Sequence, residues 1–255
     1  MSGMARGARE RRDAILALAE GSGLASVEEL SRAFGVTAST IRRDLAQLEA
    51  AGRLARTYGG AIPVQHEAPL GQRNGEATDA KRTIARWAAE QVRPGETVLL
   101  DSGSTTTALA RELAHRSDLT VVTTSITVLH ELAHADLRVE CLGGALRPLS
   151  QGFVGPLTEA ALERRTFDRA FLGADGVTAE HGICEADLEQ TRLKELMARR
   201  ADRVYVLVHA DKLGRRPFRA QAPLGSDWTL VTDPAADAAT TAHFHARGLD
   251  LVVAS

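Results

Sequence analysis

Cysteine is nearly missing from this chain, with only Cys141 and Cys184 in 255 residues. Two thiols so far apart supply neither a disulfide framework nor the paired spacing of a zinc site, and both are expected to be small buried residues. No apolar run approaches the roughly 20 residues of a membrane span. The basic start, Met1 to Arg12, has no apolar signal core, so a cytoplasmic protein with no membrane partner is expected. A large excess of charge is absent too: the net charge is −2. A protein that coats nucleic acid without sequence preference relies on many Lys and Arg contacts, whereas a sequence-specific reader needs only a local basic face. The first 62 residues carry nine arginines against seven carboxylates, a net +2, so the asymmetry is weak and in that direction. Neither an internal repeat nor a low-complexity tract occurs. A Walker lysine loop and a G-x-G-x-x-G run are also missing, which disfavours a nucleotide-binding fold. No cofactor and no metal site is expected.

What is present divides in two. The length leaves room for a module of about 60 residues and one larger domain with its own core. Between Ile62 and Asp79 the periodicity disappears, and Pro63, Pro69, Gly71 and Gly75 interrupt a polar run. The expected domains are therefore 1–62, a linker over 63–78, and 79–255.

The most informative stretch is Thr37 to Glu49. Ile41, Leu45 and Leu48 recur at the spacing that lines one face of an α-helix, and Thr37 is placed to cap its start. At about 100° per residue Arg43 lies nearly opposite Ile41, with Ser39, Arg42 and Ala46 on the outward side. Guanidinium forks and hydroxyls are the groups that pair with phosphates and guanine edges. Upstream, Ser26 and Glu29 have capping-box spacing, and Val27, Leu30 and Phe34 share an inner face. Gly35-Val36 fits the turn between two crossing helices, so the pair reads as helix-turn-helix. A preceding helix with Ile15, Leu18 and Ala19 inward is expected to end at Gly21-Ser22-Gly23, and residues 1–8 to be disordered. Gly52 should stop the second helix, and Arg53 to Ala61 reads as a two-stranded wing turning on Gly59-Gly60. By periodicity alone, an amphipathic helix with an Arg-Arg pair is as consistent with a solvated face.

The run from Ser26 to Ala61 resembles the N-terminal winged helix of the DeoR family of bacterial transcription regulators. It is carried by Glu28-Glu29-Leu30, Phe34-Gly35-Val36, Thr40-Ile41-Arg42-Arg43-Asp44-Leu45, Leu48-Glu49 and Gly59-Gly60-Ala61. The DNA-facing candidates are then Ser26, Thr37, Ser39, Thr40, Arg42 and Arg43, with Arg56 and Tyr58 on the wing.

From Lys81 onward helical and strand patterns alternate, which argues for a mostly parallel sheet flanked by helices with ligands at the C-terminal strand ends. The buried strand Thr97 to Asp101 runs into Ser102-Gly103-Ser104-Thr105-Thr106-Thr107 and a helix. Backbone N–H groups at a helix start, a close-approach glycine and several hydroxyls make a place for phosphate; the bland alternative is a polar turn with an ordinary cap. Asp101, Thr124, Asp175, Lys194 and Lys212 fall at the same edge. Two lysines beside a phosphate-ready loop suggest an anionic small ligand whose hydroxyls the carboxylates accept.

The resemblance extends here through Leu100-Asp101-Ser102-Gly103-Ser104-Thr105-Thr106, Val121-Val122-Thr123-Thr124-Ser125, Leu142-Gly143-Gly144 and Phe171-Leu172-Gly173-Ala174-Asp175-Gly176-Val177, which look like the DeoR-family sensor domain. It implies an α/β fold: an N-terminal winged helix-turn-helix plus a larger α/β sensor resembling the ribose-5-phosphate isomerase-like fold. It further implies a phosphorylated sugar effector at Asp101, Ser102, Gly103, Ser104, Thr105, Thr106, Thr124, Gly144, Asp175, Lys194 and Lys212. Three positions depart from the family pattern: Thr124 stands where Asn is usual, Gln190 where Glu is common, and His209 where Asp often precedes the second lysine. The function so implied is a repressor of sugar or carbon metabolism genes, not an enzyme, acting as a homo-oligomer, dimer or tetramer, on a double-stranded DNA operator. The alternatives are a sugar-phosphate isomerase-like enzyme with Asp175 or Glu185 as base, and an effector-insensitive DNA-binding protein.

Overall fold

The computed structural model describes residues 7–15, 18, 26–50, 54–57, 60–63 and 67–255. They fall in two compact units, Met1–His66 and Glu67–Ser255.

In the smaller unit, α1 (residues 7–15) precedes α2 (Val27–Phe34) and α3 (Ala38–Ala50), and β1 (Leu54–Thr57) pairs antiparallel with β2 (Gly60–Pro63). Ile15, Leu30, Ile41, Leu45 and Leu48 form its core, with Val27, Phe34 and Val36 packed against it. The helical spacing read from the sequence is thus the core-facing stripe. Ser26 Oγ accepts from Glu29 N at 3.1 Å while Glu29 Oε2 accepts from Ser26 N at 2.9 Å, a complete capping box. Gly35 ends α2 with φ 61, a left-handed conformation that favours glycine. Two expectations are corrected: Leu18 is 44% exposed rather than inward, and residues 7 and 8 are helical rather than disordered. Ala19, the Gly21-Ser22-Gly23 stop, Gly52 and Gly59 lie outside the described residues.

The larger unit is built on a seven-stranded, wholly parallel sheet of order β14-β13-β11-β8-β3-β4-β5. Its strands are β3 (Thr97–Leu100), β4 (Thr120–Thr123), β5 (Arg138–Cys141), β8 (Phe167–Leu172), β11 (Ala201–Leu207), β13 (Thr229–Thr232) and β14 (Asp250–Val253). Helices α5 (Thr78–Glu90), α6 (Ser104–Leu113) and α7 (Ile126–Leu132) cover one face, and α8 (Pro156–Glu163), α9 (Leu188–Arg199) and α10 (Ala238–Ala246) the other. Alternation sorts each strand between them: Val98 and Leu100 join the core under α5 and α6, and Leu99 the core under α8 and α9. Near-continuous apolar strands such as β3 are buried on both faces, as parallel sheets require.

Smaller pieces gather around this frame: a short helix α4 (Leu70–Asn74), a hairpin of β6 (Ala145–Arg147) and β7 (Gly152–Val154), and a three-stranded antiparallel sheet of β9 (Gly176–Thr178), β10 (Gly182–Glu185) and β12 (Ala220–Ala222). The sequence reading did not contain them. Residues 67–78, expected as linker, belong instead to the larger unit: Leu70 is 1% exposed and its N–H donates to Leu149 O at 2.8 Å. A single buried leucine in a Pro- and Gly-rich run is too little periodicity to register as a helix. Cys184 is buried as expected, but Cys141, near the end of edge strand β5, is exposed.

Strand order places the ligand-ready edge. From β3 the chain moves outward to β4 and β5, then returns to β8 on the other side of β3 and continues to β11, β13 and β14. The C-terminal ends of β3 and β8 therefore flank a topological switch point, where open α/β sheets leave a crevice.

Candidate functional site

On α3 the exposed side carries Ser39, Arg42 and Arg43, and Thr40 is half-buried. Thr37 Oγ1 accepts from Thr40 N at 3.3 Å and lies 2.9 Å from Ser39 Oγ and 3.0 Å from Thr40 Oγ1. The three hydroxyls thus form a network at the helix start. Asp44, the acidic residue that follows the arginines, is only 4% exposed and is held by Arg11 Nε at 2.7 Å and Arg12 Nη1 at 3.5 Å. Its charge is neutralised from α1, and the arginines dominate the outer surface. Ser26 Oγ accepts the cap bond of α2, which leaves its O–H to donate. Arg56 lies on β1 opposite Ala61, and Tyr58 lies outside the described residues.

At the switch point, Ser102, Gly103, Ser104 and Thr105 line a cavity together with Gly173, Ala174 and Asp175 from beyond β8. Lys194 and Gln190 reach it from α9, Glu185 from β10, Lys212 from beyond β11 and Arg73 from α4. No side chain caps α6, so its first-turn N–H groups, which have no intrahelical acceptor, are anion-ready. The loop is fixed from behind: Gly103 O accepts from Thr107 N at 2.9 Å, Thr106 Oγ1 at 2.9 Å and Thr107 Oγ1 at 2.7 Å.

Asp101 is the clamp beneath the cavity. Its Oδ1 accepts from Ser102 N at 2.7 Å, and its Oδ2 accepts from Gly173 N at 3.1 Å and from Lys194 Nζ. It thus ties together the ends of β3 and β8. Lys194, 2% exposed, also donates to Gly173 O at 3.0 Å. Burial pulls Lys194 down, but the charges of Asp101 and Glu185 outweigh it and hold its pKa above the ordinary lysine value. Glu185 goes up, to about 8: burial is the main cause, opposed by Lys194 and reinforced by Asp175 and Asp101. The lysine's charge is therefore matched by Asp101, the nearer carboxylate, and Glu185 is protonated at neutral pH.

The other cations are arranged differently. Lys212 Nζ donates to Ala174 O at 2.5 Å, and burial, with Arg73 and Lys194 nearby, lowers its pKa against the pull of Asp175. Arg73 Nη1 donates to Asp175 Oδ1 at 3.1 Å, and Asp175 Oδ2 accepts from Ala186 N at 3.3 Å. Behind Arg73, Lys81 is 4% exposed and donates to the carbonyls of Arg73 and Glu76. Burial, then Lys212, brings its pKa down to about 8. His209 is lowered by burial and by Lys212 and Lys81, which keeps it neutral at pH 7. With Asp101 matching Lys194, the site still sets Arg73 and Lys212 against Asp175 alone, and favours an anion.

Of the expected effector residues, Ser102, Gly103, Ser104, Thr105, Asp175, Lys194 and Lys212 come together in the lining, with Asp101 directly beneath. Three do not. Thr106 turns its hydroxyl back onto Gly103 O. Thr124 is 1% exposed, and its backbone oxygen accepts from Phe153 N at 2.6 Å, so it anchors β7. Gly144 has φ 120, and a Cβ there would meet Thr158 Oγ1 at 2.1 Å and Val154 O at 2.6 Å; its role is a close backbone approach. Gln190, marked in the sequence as a departure from the family pattern, is part of the lining; Arg73 enters it unforeseen, as does Glu185, considered only as an enzyme's base. Gln190 Nε2 donates to Ser102 Oγ at 3.4 Å. Arg73 lay in the stretch read as linker, and nothing local marked it.

The sequence matches the DeoR-like helix-turn-helix domain over residues 11–67 and the DeoR C terminal sensor domain over residues 76–234. The HTH-type transcriptional regulator GlpR of Haloferax volcanii is 36% identical over 246 residues, spanning 95% of this chain and 96% of that protein. The glycerol-3-phosphate regulon repressor of Escherichia coli is 32% identical over 227 residues, spanning 88% of this chain and 90% of its own. Among solved structures, ribose 5-phosphate isomerase A from Methanocaldococcus jannaschii aligns with 53% of this chain and 54% of its own, at 20% identity and a TM-score of 0.40.

Proposed function

The chain belongs to the DeoR family of transcriptional regulators, and from that premise we propose that it is a sequence-specific repressor whose grip on its operator is set by a phosphorylated sugar or related metabolite. Its relatives over most of its length are regulators, so the isomerase reading is set aside.

The observation that carries the effector reading is the uncapped start of α6, facing a cavity whose lining holds Arg73, Lys194 and Lys212. A phosphate fits the chemistry of the loop N–H groups and hydroxyls of Ser102, Ser104 and Thr105, with Lys212 as counter-charge. Asp175, Glu185 and Gln190 are then the groups that read hydroxyls. Glu185, carrying its proton, donates a hydrogen bond where an ionised carboxylate only accepts. One relative is named for the glycerol-3-phosphate regulon, which is in keeping with a small phosphorylated polyol.

On the DNA side, Arg42, Arg43 and Ser39 read the major groove or fix phosphates, and the wing with Arg56 contacts the backbone. A two-fold oligomer then requires half-sites whose centres lie about 34–36 Å apart, or at a multiple of that.

The test is a thermal-shift screen of the full chain with triose, pentose and hexose monophosphates and glycerol 3-phosphate, each against its unphosphorylated counterpart. A compound that binds only the folded state raises the midpoint. Stabilisation by a phosphorylated compound alone, with a change in binding to DNA selected from a random-sequence pool, is the expected result. Equal effects with and without phosphate would remove the phosphate from the reading.

A further inference from the structure

The cavity at the switch point is lined for a ligand but is small. Its enclosed space is about 20 Å³, room for about one water and far below the roughly 300 Å³ at which small-molecule sites begin. A phosphorylated ligand enters only when a wall moves, and the hydrogen bonds identify which one.

The loop wall is pinned by backbone bonds at Ser102 and Gly103, and Lys194 by Asp101 and Gly173 O. Arg73 is different. It stands on the five-residue helix α4, and its guanidinium is held by side chains alone: Nη1 by Asp175 at 3.1 Å and Nη2 by Glu67 at 3.2 Å. Its Nε is buried without an acceptor, and Glu185 Oε1 in the same lining receives no hydrogen bond, with Lys194 Nζ 3.3 Å away. Orphaned buried donors and acceptors in one cavity mark where a polar ligand has partners waiting.

Glu67 gives the arrangement a consequence outside the cavity. It is the first residue of the larger unit, directly after His66, the last of the smaller. Its carboxylate is 5% exposed and shared between Arg73 and Arg147, whose Nη1 donates to it at 2.9 Å. If Arg73 leaves, Arg147 still neutralises Glu67, and Asp175 keeps the Ala186 N–H and the nearby charge of Lys212. No buried charge is stranded, the condition under which such a pair can exchange without the usual large penalty.

We infer that Arg73 is a two-position switch: without ligand it bridges Glu67 and Asp175 and closes the cavity, and a phosphate-bearing ligand draws it off both and leaves Glu67 held by Arg147 alone at the junction of the two units. This deepens, and rests on, the reading of an anionic effector. A phosphate offers three acceptor oxygens and about two charges where each carboxylate offers one charge, so it competes effectively for a guanidinium. Operator affinity then responds because the start of the larger unit is held at Glu67 by two arginines in one state and by Arg147 alone in the other.

The experiment titrates inorganic phosphate into the full-length wild type, Glu67→Gln and Thr105→Asp, following heat of binding. It also follows amide hydrogen exchange of the wild type with and without saturating phosphate. Removing Glu67's charge abolishes one hold on Arg73 and raises the share of the open state, so Glu67→Gln should bind phosphate about fivefold more tightly or better. In the wild type, phosphate should speed exchange over residues 68–76 and slow it over 103–107. Exchange is read on the wild type, so the switch is tested even if Glu67→Gln fails to fold. If phosphate binds, Thr105→Asp abolishes it, but Glu67→Gln is unchanged and 68–76 slows with the loop, the switch is wrong and the anion site stands. If neither wild type nor Glu67→Gln binds phosphate, the anion site fails and the switch with it.

Discussion

Lys194 Nζ lies 3.3 Å from Glu185 Oε1, with the two side chains 2% and 6% exposed. The lysine's hydrogen bonds nevertheless go to Asp101 and Gly173 O, and that carboxyl oxygen receives none among the described residues. The pair is thus an ammonium beside a carboxylic acid, and it gives the larger unit a definite pH response.

Burial raises Glu185 from 4.5 to about 8, so between those values the folded protein holds a proton that the unfolded chain has lost. Its stabilising contribution is complete below about pH 4.5 and falls as pH rises through about 8. Thermal midpoints measured from pH 5 to pH 8 should fall more steeply in the wild type than in Glu185→Gln, which cannot ionise. Equal slopes for the two proteins would show that Glu185 is not the titrating group.

Thr105, 6% exposed on the first turn of α6, faces the cavity. Thr105→Asp places a carboxylate where the phosphate would sit; the helix dipole tolerates it in the folded protein, while like-charge repulsion excludes the ligand. Phosphate should then no longer raise the melting temperature, and DNA binding without effector should be unchanged. A full phosphate response in this variant would move the site elsewhere.

Arg43 is exposed on α3, nearly opposite buried Ile41. Arg43→Ala should leave the stability within about 0.5 kcal/mol of wild type. Its affinity for selected DNA, read by fluorescence anisotropy, should drop by about 1–3 kcal/mol if it reads a base edge. A uniform loss across sequences with a shallower salt dependence would instead make it a phosphate contact; no loss of either kind would exclude it from the interface.

Gly144→Ala separates packing from ligand binding. Its φ of 120 and the 2.1 Å approach of Thr158 Oγ1 to an added Cβ mean backbone strain plus a clash, at least about 1–3 kcal/mol. Chemical denaturation should show that loss whether or not phosphate is present. A stable variant that had lost only ligand response would return Gly144 to the site.

How far the sequence reached depended on whether a signal was local. The Ile41, Leu45 and Leu48 stripe, the capping box at Ser26, the alternation of strands and helices from β3 to β14, and the Ser102–Thr105 loop all express spacings of a few residues, and the structure carries each of them. Thr106 lies outside the lining because the first helical turn sends its hydroxyl back to Gly103 O, and Thr124 is placed by the backbone bond its carbonyl accepts from Phe153 N. Arg73 had no local pattern at all, and nothing local showed that Glu185 would meet Lys194 inside the cavity.

The order and type of elements follow from the chain's local pattern, since apolar periodicity and caps act within one turn or one strand. Which distant charges share one low-dielectric place is settled by the packing of the folded chain. The switch point between β3 and β8 brings Asp101, Asp175, Glu185 and Lys194 together and sets Arg73 against Glu67. Protonation and ion pairing there follow from burial and distances of a few ångströms, quantities that come into being only when the chain closes on itself.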